Sequence, residues 1–356
     1  MTREDVTDDA RYAPENQDDT DVATAASDSA SDVTHDIEDE KDYKGVRAFM
    51  LLLGLAMILG GVALQRKRII ELTGGEEPQV PPLVDTKPLP LQPPAAEAYP
   101  WLTGPGAFDP ANSIAARIAP PQGYRRIAVP PETYAHWLRY LPLALGEPPL
   151  RLHTGEPKRN QRAHFAVVDM DIGDEDLLHS ADVPVRLRAE YLLGTNQPGL
   201  IDFEVAPGER ASWSKWANGY RPRFEDGGVA WQKQADPDGS YTNFRAYLAM
   251  VFRHMDTTLL ARQLRPISNP ANMRIGDMFV HPGSPGHCAV VVDIAENVRT
   301  GARLFLLAQG FVPAQDVHIL INPASEDLSP WYSQDFGESL QTPEYTFGEN
   351  ELMYFE

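Results

Sequence analysis

Residues 275–309, IGDMFVHPGSPGHCAVVVDIAENVRTGARLFLLAQ, constrain the fold more than any other stretch of the chain. Residues 275–280 form a short apolar run, closed by the breaker cluster His281-Pro282-Gly283-Ser284-Pro285-Gly286. A valine-dense run follows at 289–294 with His287 just before it. After a polar turn, a third run at 303–308 ends at Gln309. Three strands with short connections predict an antiparallel meander. There an imidazole at one strand mouth and a carboxamide closing the next strand lie side by side, as a base and its orienting partner. His287 also reads as a structural histidine after a glycine turn, and Gln309 as a polar strand end.

Charge divides the chain before hydrophobicity does. Residues 1–44 hold 15 of the 51 acidic residues against 4 of the 31 basic ones, and so −11 of the net −20. With almost no large apolar side chains, such a segment cannot bury enough surface to offset chain entropy, and a disordered acidic tail is expected. The remainder is mildly acidic and has no basic tract, which argues against nucleic acid as a partner. The single cysteine, Cys288, excludes an intramolecular disulfide and a cysteine zinc cluster. As the neighbour of His287 on a strand it points to the opposite face, as a small core residue. Nothing in the sequence calls for a cofactor.

Residues 48–64, AFMLLLGLAMILGGVAL, are apolar on all faces and flanked by charge. At 1.5 Å rise, about 17 residues span roughly 26 Å, and flanking arginines and lysines can snorkel to complete a bilayer crossing. A single transmembrane anchor over residues 45–68 is expected, with the lipid bilayer as partner. Lys41, Lys44 and Arg47 balance Arg66, Lys67 and Arg68, so the charge count leaves the orientation open. Residues 69–106 read as a stalk, proline-rich and extended over 78–100.

The globular part occupies residues 107–356. Helices are expected at 134–141, from Asp174 to Leu193 with a kink at Pro184, and at 240–255, where Phe244, Leu248, Val251 and Phe252 share a face. Strands are expected at 165–172 and 201–205. Asp169, Asp171 and Asp174 resemble a calcium loop only in spacing, because Gly173 takes the third ligand's place. Trp213, Trp216 and Tyr220 read as core or as an aromatic platform. His318 and Gln315 read either as lining the cleft of His287 or as part of a strand near the surface.

The runs TYAHWLRYLPL, VVDMDIGDEDL, ADVPVRLRAEYLL, SYTNFRAYLAMVF, IGDMFVHPGSPGHCAVVVD, FLLAQGFVPAQDVHIL and SPWY…LQTPEYTF cover nearly all of 118–355. They resemble the bacterial domain of unknown function family 4846. Its members are largely extracytoplasmic or membrane-attached, which implies a single-pass protein with its C-terminal domain outside. More distantly, the chain is similar to NlpC-type, papain-like cysteine peptidases. These open a helix with Asp-Cys-Ser-Gly-Phe, then make a Gly-Asp turn, begin a strand with histidine and place a polar residue on the next strand. Here Ser240-Tyr241-Thr242-Asn243-Phe244 opens the helix, Gly276-Asp277 makes the turn, and His287 and Gln309 follow. Tyr241 stands where the cysteine would be, and a phenol with a pKa of about 10 is a poor nucleophile for an amide.

The resemblance implies an α+β fold: a papain-like helix on an antiparallel sheet of about five strands, with an N-terminal α/β extension, preceded by the single transmembrane helix. Tyr241 would point from the first helical turn toward His287 and Gln309. The implied function is a membrane-anchored envelope domain without its cysteine, binding a cell-wall (peptidoglycan) or peptide ligand. The alternatives are an active amidase or peptidase using His287, and a membrane-tethered scaffold.

Overall fold

The computed structural model describes residues 92–104, 106–225 and 228–356. The acidic tail, the apolar run 48–64 and most of the stalk lie outside them. Among the described residues no helix is long and apolar enough to cross a membrane.

Nine strands form the central sheet: β1 (Tyr124–Arg126), β2 (His164–Val167), β3 (Leu264–Pro266), β4 (Met278–His281), β5 (His287–Asn297), β6 (Arg303–Gln309), β7 (His318–Leu320), β8 (Tyr332–Ser333) and β9 (Leu352–Phe355). They run in the order β2-β7-β6-β5-β4-β9-β3, with β1 paired to β5 and β8 to β6. The described pairings are antiparallel. The expected meander is β4-β5-β6, with Val280 opposite Cys288 and Ala308 opposite Val290. Its middle strand is buried from His287 to Ala295. Both faces of that strand are covered, which is why its sequence is a continuous valine run rather than an alternation.

Four helices matter to the site: α1 (Tyr134–Arg139), α2 (Asp182–Gly194), α3 (Tyr241–Phe252) and α4 (Thr257–Arg262). Ser240 caps α3, its Oγ accepting from Asn243 N at 3.2 Å. The helix buries Phe244, Leu248, Val251 and Phe252, the face read from the sequence, and Tyr247 with them. Trp213 and Trp216 are core residues, Trp213 edge-on to Phe244 at 5.3 Å. α2 is buried almost all round, Arg186 and Glu190 included. It begins at Asp182 and not at Asp174. Pro184 therefore falls in its first turn, where a missing N–H costs no hydrogen bond, so the expected kink has no cause there. Asp293, on β5, receives Arg126 at 2.6 Å and Arg139 at 2.8 Å, tying β1 and α1 to the sheet.

The expected fold class is corrected here. The domain is a mixed α/β structure with a mostly antiparallel sheet, wider than a papain-like helix on about five strands. The transmembrane helix expected before it is not found among the described elements. The papain-like expectation rested on the order of short motifs along the chain. Order fixes neither how many short strands extend a sheet nor which helix lies beside which strand. Here α3 meets α2 through Tyr241 and Glu190, and the first turn of α3 is not seated over His287.

Candidate functional site

The meander delivers His287 and Gln309 to one face. Ala308 opposes Val290, and continuing that register puts Gln309 a diagonal step from His287. His287 Nε2 lies 2.7 Å from Gln309 Oε1. The amide orientation follows from its other end, where Gln309 Nε2 lies 3.3 Å from Glu344 Oε2, an acceptor, and 3.4 Å from His318 Nε2. His318 Nδ1 faces the Asp316 carbonyl at 2.9 Å, so it carries the proton and leaves Nε2 to accept. Gln309 therefore donates toward Glu344 and His318 and accepts from His287 Nε2–H. The His287 lone pair is left on Nδ1, which has no partner among the described residues.

A second layer closes over this pair. The turn joining the strands Ser339–Gln341 and Thr346–Gly348 supplies Glu344 and Tyr345. Lys158 Nζ reaches Glu344 Oε2 at 2.5 Å, and Asn160 Nδ2 reaches Oε1 at 3.3 Å. Phe311, Tyr345 and Phe347 place ring centroids 5.0, 5.0 and 5.7 Å from the imidazole. Lys158 also sits 4.8 Å above Phe311. Burial lowers the His287 pKa to about 4, against the opposing pull of Gln309 and Glu344. Burial, with Lys158, His164 and His287 adding to it, lowers His318 to about 3. Both rings are neutral at pH 7, and a base this weak is a poor proton acceptor for catalysis.

Of the three residues expected to form one site, the structure brings together His287 and Gln309 and leaves Tyr241 elsewhere. Tyr241 Oη donates to Glu190 Oε1 at 2.8 Å, and burial with the Glu190 carboxylate raises its pKa. Ser240 is spent on its cap and Thr242 is exposed. Cys288 is sealed in the core with its thiol pKa pushed up by burial. No nucleophile named from the sequence therefore faces the imidazole. His318 lines the same cluster. Gln315 is fully buried with both amide ends unpaired among the described residues. Gly276 turns at φ +98° and Asp277 Oδ2 accepts from Arg274 N at 2.6 Å, the structural turn the sequence suggested.

Lys158, Glu344 and the three rings are not singled out as site residues by the sequence, since they come from segments far apart in the chain. Nor does the sequence single out His164. Its ring stands edge-on to His318 at 6.3 Å and lines a cleft of about 400 Å³ beside the sheet-edge strand β2. Glu147, Pro148, Pro149 and Gln161 form its other walls, with Phe165 to Val167 of the strand. Phe165 is the extra residue of a bulge between Ala166, opposite Ile319, and His164, opposite Leu320. A bulge re-aims side chains, and this one leaves Phe165 45% exposed. Among the described residues no cluster of histidine, cysteine and carboxylate side chains has the arrangement to hold a metal ion.

No curated protein and no solved structure matches the chain. The family model described as domain of unknown function (4846) matches residues 114–354, which take in the sheet, the four helices, the cleft and the His287 cluster. The chain belongs to that family.

Proposed function

We propose that the domain binds a peptide ligand, of the kind a cell wall presents, without cleaving it. The observation that carries the binding is the cleft along β2, and the separate pairing of His287 with Gln309, with no nucleophile named above in reach, speaks against cleavage. Amide hydrolysis through a covalent intermediate needs a hydroxyl or thiol within hydrogen-bond reach of its base. The ligand's place is the cleft along β2. Its walls combine the Phe165 ring and two prolines with one carboxylate, Glu147, a setting for an apolar side chain next to a cationic group.

The test uses the full-length chain and defined muropeptides, followed by calorimetry and mass spectrometry of the recovered ligand. Saturable binding, intact ligand and at least tenfold weaker binding by Phe165→Ala are expected. Products that vanish in His287→Ala would overturn the reading in favour of an amidase, and so would the absence of binding.

A further inference from the structure

A second polar cluster lies between α2 and α3, apart from the cleft and from His287, and it uses the tyrosine that the sequence singled out. Arg186 Nε and Tyr241 Oη both donate to Glu190 Oε1, at 2.7 and 2.8 Å. Arg186 Nη1 and Arg245 Nη1 both donate to one acceptor, the Asp171 backbone carbonyl, at 3.0 and 3.3 Å. Two guanidinium groups are thus held beside a single oxygen. Burial and then the proximity of Arg186 lower the pKa of Arg245. Glu190 offsets one of the two charges from inside. The other has its direct salt bridge with the Asp171 carboxylate, a single contact of 3.2 Å from a side chain that is 74% exposed, while Glu190 acts on it from farther away.

Donors and acceptors are left over. Arg186 Nη2 and Glu190 Oε2 are sealed from solvent and have no partner among the described residues, although both side chains are fully buried. An arginine fork ordinarily grips an oxyanion through two N–H groups, and a buried unpaired charge-bearing atom is costly. Arg245, 24% exposed, forms the outer lip. Next to it the chain turns at Gly173, φ +79°, beside Arg245 Nη2.

We infer that Arg186 and Arg245 form an oxyanion site between α2 and α3, in which the Asp171 carboxylate is a built-in occupant that an incoming phosphate-type group displaces. Glu190 Oε2 sets the preference within that class. As an acceptor it pairs with the hydrogen of a monohydrogen phosphate, which acetate does not carry. Tyr241 holds Glu190 in place from α3 and is a positioning residue. The inference is independent of the peptide-binding reading, since it shares no side chain with the β2 cleft.

The test is calorimetric titration of the full-length chain with inorganic phosphate and with acetate, at constant ionic strength in chloride. The Arg186 and Arg245 Nε–H signals are followed in parallel by NMR. Saturable phosphate binding that moves both signals is expected, with acetate at least tenfold weaker. Asp171→Asn, which removes the competitor, should tighten phosphate about tenfold. Arg245→Met should abolish binding, and Arg245→Lys should weaken it while keeping the charge. Binding unchanged in Arg245→Met, no gain in Asp171→Asn, or equal response to acetate would overturn the inference. So would a phosphate-soaked crystal showing only a water between Arg186 Nη2 and Glu190 Oε2.

Discussion

Acid should loosen the domain through its buried neutral histidines, and the size of the effect follows from the site. In the unfolded chain His287 takes its proton near 6.5, whereas in the folded protein it does so only at about 4. As pH falls below 6.5 the unfolded state binds a proton that the folded state refuses, so stability declines and then levels off below about pH 4. At roughly 1.4 kcal/mol per pH unit the full loss is about 3 kcal/mol, most of it spent by about pH 4.5. His318, lowered to about 3, adds a loss of the same sign that continues to lower pH. Asp277 works the other way: burial raises it to about 6, so the folded state takes that proton first and gains stability as pH falls below 6. The wild-type curve is therefore a sum, and a difference isolates the histidine. His287→Gln keeps a donor for Gln309 and cannot titrate. Urea unfolding of both proteins at about pH 7.5 and pH 4.5 should show the wild type losing about 2–3 kcal/mol more than the variant over that interval. Equal losses in the two proteins would refute the neutral, buried imidazole.

Three further outcomes are expected. Glu344→Gln should cost about 2 kcal/mol in denaturant titration, because it leaves the largely buried Lys158 side chain without its counter-charge, and Lys158→Met in the same chain should recover part of that. Tyr241→Phe should cost about 1 kcal/mol, the hydrogen bond to Glu190, and should leave the His287 titration by NMR unmoved; a shifted His287 would reconnect the two residues. Cys288 should resist maleimide in the native state and react only on unfolding, as measured by labelling against denaturant concentration.

The residues explain how far the sequence could be read. The three runs at 275–309 were legible because a strand buried on both faces advertises itself as unbroken apolar sequence, and their register then carried Gln309 to His287. Strands β1, β7 and β9 are three or four residues long, too short for any periodicity, and their places depend on partners remote in the chain. Lys158 and Glu344, 186 residues apart, meet only because the hairpin turn folds back over the meander. Tyr241 is the instructive failure. Helical spacing correctly puts it near the buried face with Phe244 and Leu248, but spacing does not name the neighbour on that face. Packing against α2 gave it Glu190, a stronger acceptor than an imidazole already engaged by Gln309. The calcium-like spacing at Asp169–Asp174 dissolves in the same way, since the Asp171 carboxylate is turned to Arg245.

The central claim is binding without cleavage, and one NMR titration addresses it most directly. The full-length chain, isotope-labelled, is titrated with an unlabelled muropeptide peptide while the peptide's own amide signals are followed for several days. Saturable shifts of Gln161, His164, Phe165 and Val167, with the peptide signals undiminished, are what the account predicts. Shifts confined to other surfaces, or the steady replacement of peptide amide signals by those of new termini at a rate that His287→Ala abolishes, would contradict it.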